Sequence, residues 1–139
     1  MSLDVGARRI GLAVSDLLGV TAQGIETLQR KNKRTDLAAL EKIIREWDVR
    51  ELVVGLPLRM NSEEGRQSEK IREFAGWLEK AFQLPVHLWD ERLSSVEANR
   101  VLRESNISIE KRAAAVDRLA AVLILQNWME AQKRKPFQN

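Results

Sequence analysis

The sequence predicts an α/β fold: a five-stranded mixed sheet, three antiparallel strands followed by two parallel ones, with helices on both faces. Three observations predict it. The first 28 residues hold three short strand-like runs, with glycines at the turns between them, the pattern of an antiparallel meander. Two later apolar runs, residues 52–55 and 86–89, are separated by a long stretch of helical spacing. Strand–helix–strand connections make their strands parallel, here to the first strand. With 139 residues, the chain is expected to form one domain, spanning residues 1–139.

The elements follow in order. Leu3 and Val5 flank Asp4 at the end of a first short strand, and Gly6 lets the backbone reverse without a Cβ penalty. Ile10, Leu12 and Val14 alternate with Gly11, Ala13 and Ser15, which makes a second strand. Residues 20–28 read as a third, with Gly24 as its weak point. After a basic loop at 30–34, Thr35 or Asp36 is expected to cap a helix running to about Trp47, on the spacing of Leu37, Leu40, Ile43 and Ile44. The run at 52–55 lacks alternation, as a strand buried on both faces does, and Pro57 ends it. Ile71, Phe74, Ala75, Leu78 and Phe82 form the apolar stripe of a helix over about 62–82. A fifth strand at 86–89 leads to Asp90-Glu91-Arg92. Ser94 to Glu97 has capping-box spacing for a short helix to about Arg103, and a last helix runs from about Ser108 or Ile109 to Gln132.

Composition narrows the function classes. There is no cysteine, which excludes disulfides and thiolate metal sites. No apolar run approaches the roughly 20 residues of a membrane helix, and no signal-peptide pattern precedes the first strand. A cytoplasmic protein without a membrane partner is expected. The net charge is +3, with basic clusters at 8–9, 30–34, 111–112 and 133–135. Each cluster alone reads as a solvated surface; together they suit nucleic acid. The single histidine, His87, faces the same side of its strand as Trp89 and reads as a packed or surface residue. No phosphate-binding glycine motif of the nucleotide-binding folds is present. Trp47, Trp77 and Trp128 fall on helices and read as core or partial core.

Three acids converge in this topology. The carboxyl ends of parallel strands line one edge of the sheet, which brings Asp4 and the pair Asp90-Glu91 to the same edge. Asp117 lies on or beside the apolar face of the last helix, among small alanines that permit close approach. A carboxylate at the end of a buried strand is costly unless paired or bound to a cation. Oxygen ligands of this kind suit Mg²⁺ or Mn²⁺. The alternatives are structural: a salt bridge from Asp117 to Arg8, Arg9 or Arg118, a helix-capping role for Asp90, and a surface position for Glu91. Asp16, at the opposite edge, reads as a turn or cap residue.

Four motifs in order resemble the YqgF (RuvX) family, described as Holliday-junction-resolvase-like and as pre-16S rRNA nucleases. They are Asp4-Val5-Gly6 through Arg8-Arg9-Ile10-Gly11 to Ser15-Asp16; Val53-Val54-Gly55-Leu56-Pro57; Asp90-Glu91-Arg92-Leu93-Ser94-Ser95; and Val116-Asp117 with Ala120-Ala121 and Ile124-Leu125-Gln126. They span nearly the whole chain. The resemblance implies a ribonuclease-H-like fold, a divalent metal, and a hydrolase that matures the 5′ end of small-subunit rRNA. It implies Asp4, Glu91 and Asp117 as catalytic and metal-holding acids, with Asp90 as a further candidate ligand. Gly6, Arg8, Arg9, Gly55 and Arg92 then become the expected nucleic-acid contacts. Nucleases of this fold usually carry an acid at the end of the fourth strand. Here that strand ends Val54-Gly55-Leu56-Pro57, so Glu91 must reach across from the next strand. The expected partner is RNA, pre-16S rRNA above all, with branched DNA or a non-catalytic assembly role as alternatives, in a monomer or homodimer.

Overall fold

The computed structural model describes residues 1–56, 62–91 and 109–134, with the side chains of 62–64, 109–117 and 134 excluded. The capping box at 94–97, its short helix and the Pro57 exit lie outside the described residues. Five strands form one sheet in the order β3-β2-β1-β4-β5. They are β1 (Ser2–Val5), β2 (Arg9–Ser15), β3 (Ala22–Gln29), β4 (Leu52–Leu56) and β5 (Val86–Asp90). The helices are α1 (Lys33–Glu46), α2 (Ser62–Phe82) and α3 (Ile109–Arg134). β1 to β3 are antiparallel; β4 pairs parallel with β1, and β5 parallel with β4. This is the mixed sheet that the hydrophobic pattern predicts.

The expected alternation on β2 holds. Ile10, Leu12 and Val14 enter a core with Leu40 and Ile43 of α1 and Phe74 and Leu78 of α2. Ala13 enters a second core with Val53 of β4 and Ala121, Ile124 and Leu125 of α3. The sheet is therefore sandwiched, with α1 and α2 on one face and α3 on the other. All five residues of β4 are buried, as expected for a strand covered on both sides. Gly24 sits where the β2–β3 register slips: Leu12 faces Glu26, but Ala13 faces Gly24, leaving Ile25 as the extra residue of a bulge.

Three local expectations are corrected. Strand β3 starts at Ala22 rather than residue 20, because Asp16 organises the turn before it: its Oδ1 accepts from the Val20 N–H at 2.7 Å and the Thr21 N–H at 3.2 Å. The α1 cap is Asn32, whose Oδ1 accepts from Thr35 N–H at 2.8 Å. Asp36 is instead buried inside the first turn, accepting from Lys31 N–H at 2.9 Å with Arg30 Nε at 3.9 Å. Trp47 is 45% exposed, because it lies at the C-cap, where Asp48 (φ 49°) turns the chain out of α1.

Candidate active site

Asp4 is the third residue of β1. It pairs with Gly11 on β2, and continuing the β1–β4 register of Leu3 with Val54 by one residue sets it beside Gly55. Side chains alternate along a strand. Ser2, two residues earlier, donates its hydroxyl to the Ala121 carbonyl of α3 at 2.6 Å. Asp4 therefore lies on the α3 face. It is half-buried.

Glu91 follows β5 directly and is only 4% exposed. Its position is fixed by what Gly55 lacks. A Cβ on Gly55 would stand 2.8 Å from Glu91 Oε1 and 2.6 Å from Ile124 Cδ1. The carboxylate thus reaches over β4, in the space between β5 and β1, beneath α3. Gly55 is buried in the middle of this arrangement. Its open side is taken up by Glu91 and Ile124.

Asp90 belongs to the other face. Its register partner is Leu56, which packs in the α1–α2 core together with Val86. His87 and Trp89 alternate with these and pack towards α3; His87 lies 5.0 Å from the Trp128 ring, with Nε2 3.2 Å from Glu51 Oε2. Asp4, Asp90 and Glu91 all make polar contacts within the chain, so none is an isolated charge. Asp117 stands four residues, one turn, before Ala121 in α3, and its side chain is not among those described. Among the described residues no three acids or histidines form a metal-binding group.

Small residues let α3 come close enough for this site. Ala120 and Ala121 are buried against the sheet, and a Cβ on Gly24 would already touch Val122 and Arg118 at 3.4–3.5 Å. Gly6 closes the β1–β2 turn, its N–H donating to the Arg9 carbonyl at 2.8 Å. Ala7 and Arg8 are exposed at the tip, while Arg9 is half-buried and engaged. Arg92 lies outside the described residues.

Two positioning residues escaped the sequence reading. Arg30 donates Nη1–H to the Gly6 carbonyl at 2.7 Å, tying the turn to the start of α1. Ser2 fastens α3 to β1. Arg30 sat in a basic run that looked like a solvated loop, and Ser2 carried no signal.

A family model named RuvX and described as a Holliday junction resolvase matches residues 1–131. This chain belongs to the RuvX family. A member from Koribacter versatilis, named "Putative pre-16S rRNA nuclease", is 67% identical over 130 residues, covering 94% of this chain and 85% of that one. A similarly named member from Thermoanaerobacter pseudethanolicus is 48% identical, covering 97% of this chain and 98% of that one. Among solved structures, T. thermophilus RuvC in complex with a Holliday junction substrate aligns over 95% of this chain and 93% of its own, with a TM-score of 0.57 and 14% identity. That likeness shows the fold, and the ribonuclease-H-like architecture expected from the motifs is the one observed.

Proposed function

We propose that this RuvX-family chain is a divalent-metal-dependent nuclease that processes the 5′ end of pre-16S rRNA. The observation that carries the reading is Glu91 crossing a β4 strand that has no acid of its own, into room that Gly55 leaves open. This brings a buried carboxylate to the same sheet face as Asp4. Family membership and the pre-16S rRNA nuclease names of the relatives support the substrate.

Asp4 and Glu91 would hold the ion, with Asp117 completing the set from one turn before Ala121. These are hard oxygen donors, which suits Mg²⁺ or Mn²⁺ rather than a soft metal. Such an ion lowers the pKa of bound water and offsets charge on the phosphodiester oxygens. The chain's own part is positional. Gly55 keeps the Glu91 carboxylate over the sheet, Ser2 holds α3 at its working distance, and Arg30 fixes the turn that presents Gly6, Arg8 and Arg9 to phosphates. No helix among the described residues is long and apolar enough to cross a membrane.

Incubating the protein with precursor rRNA, with and without Mn²⁺, and mapping the ends tests this reading. The wild type is expected to cut near the mature 5′ end only with metal, and Asp4→Asn to abolish cutting while keeping the wild-type melting temperature within a few degrees. Equal cutting by Asp4→Asn would overturn the assignment. Cutting of a four-way DNA junction but not of the precursor would move the substrate to branched DNA.

A further inference from the structure

The face of the sheet opposite Asp4 and Glu91 carries a cleft of about 860 Å³ between the start of α1 and the first half of α2. Gly6 lines its inner end, two residues along the chain from Asp4, or about 7 Å of strand. Its walls bring together segments far apart in sequence: Arg30, Lys31 and Lys33 from one side, Arg66 and Lys70 from the other. Two acids also line it. Asp36 is buried and already accepts a hydrogen bond from the backbone of Lys31. Among the described residues of the lining, Glu73 is then the one exposed acid, against the exposed Lys31, Lys33, Arg66 and Lys70.

Two of the cations are held in place by aromatic rings; Arg30 is also paired with Asp36 at 3.9 Å, whereas among the described residues Lys33 has only the ring beneath it. Lys33 Nζ stands 4.3 Å from the centre of the Trp77 ring, and the Arg30 guanidinium 5.3 Å from that of Phe74. A cation over an aromatic face keeps its full charge, unlike one in an ion pair. The N-terminal end of α1, with its positive dipole, opens into the same cleft. The molecule contains its own contrast. A cleft of about 770 Å³ at the other end of the sheet is lined by Asp16, Asp48 and Glu51 as well as Arg50 and Lys133. There Arg50 lies 3.3 Å from Asp48. The second cleft has similar size but mixed charge, so the excess of cations beside Gly6 is a local feature.

We propose that the α1–α2 cleft binds the phosphate backbone of a single polynucleotide strand, which passes around the Gly6–Arg9 turn between this cleft and the acids on the other face. A volume below 1,000 Å³ admits a few linked nucleotides, whereas a duplex is too wide to enter. The proposal rests on the nuclease reading for its substrate class, but its contacts are separate from the acids.

The test measures binding of a labelled single-stranded RNA of about 12 nucleotides in EDTA, as a function of salt. The triple variant Lys31→Gln, Arg66→Gln, Lys70→Gln is compared with Lys42→Gln, Arg50→Gln, Lys133→Gln, which removes the same charge elsewhere. Each lost phosphate contact lowers the slope of log K against log salt by about 0.7 for a single strand. The cleft variant is expected to lose about 2 from that slope and at least tenfold in affinity at low salt, roughly what three phosphate contacts carry. The control variant is expected to stay near wild type, and circular dichroism confirms that both fold. Unchanged binding by the cleft variant, an equal loss in the control, or an equal loss for a blunt RNA duplex would each overturn the proposal. The nuclease reading fails separately: Asp4→Asn that still cuts refutes the acids and leaves the cleft standing.

Discussion

On one face of the sheet, α1 and α2 pack on Ile10, Leu12, Val14, Leu52 and Val54; on the other, α3 lies on Ser2, Ala13, Val53 and Gly55. The first face is filled with branched aliphatic side chains and, among the described residues, carries the larger buried apolar cluster. The second is built largely from residues with little or no side chain, which bury less apolar surface. What it gains is proximity. A helix can settle close to the sheet and leave room for a carboxylate to cross a strand. One face is therefore arranged for stability, and the other exchanges apolar packing for the room that Glu91 occupies.

Substitutions separate the two roles. The largest stability loss is expected on the aliphatic face: Leu78→Ala, at a fully buried position, should cost about 2–5 kcal/mol by denaturant melt. Cleavage by the fraction still folded should be unchanged. Gly55→Ala should do the reverse. Its Cβ meets the far ends of two side chains, Ile124 Cδ1 and Glu91 Oε1, rather than backbone. The fold should survive at a cost of about 1–3 kcal/mol, while metal-dependent cutting is lost because the carboxylate is displaced. Adding Ile124→Val relieves one of the two clashes, so stability should recover in part and activity should not. Recovery of both would show that Glu91 is not the group Gly55 accommodates.

Much of the aliphatic face could be read in the sequence. The stripes of β2 and α2 follow strand and helix periods, and the bounds of α2 are those expected. The Asp16 turn, by contrast, was legible as a cap but not as the feature that delays β3. Asp36 has the composition of a helix cap, and only its burial beside Arg30 and Lys31 reveals another role. That Glu91 must reach across from the fifth strand was implied by the family motifs, but that Gly55, 36 residues earlier, leaves the room for it is a relation between strands that no local pattern encodes. Asp90 and Glu91 are adjacent in sequence and look interchangeable, but the strand alternation sends Asp90 to the opposite face. The cleft likewise depends on residues 30–33 and 66–70 meeting only in the folded chain.

The smallest effect is expected at the end of the sheet away from both sites. The N–H groups of Val20 and Thr21 hold the Asp16 carboxyl below its ordinary value of 3.8. A lowered folded value means that the ionised form stabilises the fold. That contribution is fully present above about pH 4 and is lost as pH falls through the lowered value. Asp16→Asn should therefore melt slightly below wild type at pH 7, and the gap should close towards pH 2. Neither pH should change RNA binding by the cleft relative to wild type.

In the proposed site the metal is held on the α3 face by Asp4 and by Glu91 reaching across Gly55. Calorimetric titration with Mn²⁺ tests it most directly, comparing wild type with Glu91→Gln and with its neighbour Asp90→Asn. Glu91→Gln should weaken binding by more than about tenfold, since even outer partners of a bound metal commonly contribute that much, while Asp90→Asn should bind as wild type does. Loss of Mn²⁺ binding in Asp90→Asn with retention in Glu91→Gln would instead place the ion on the α1–α2 side and rule Glu91 out as its ligand.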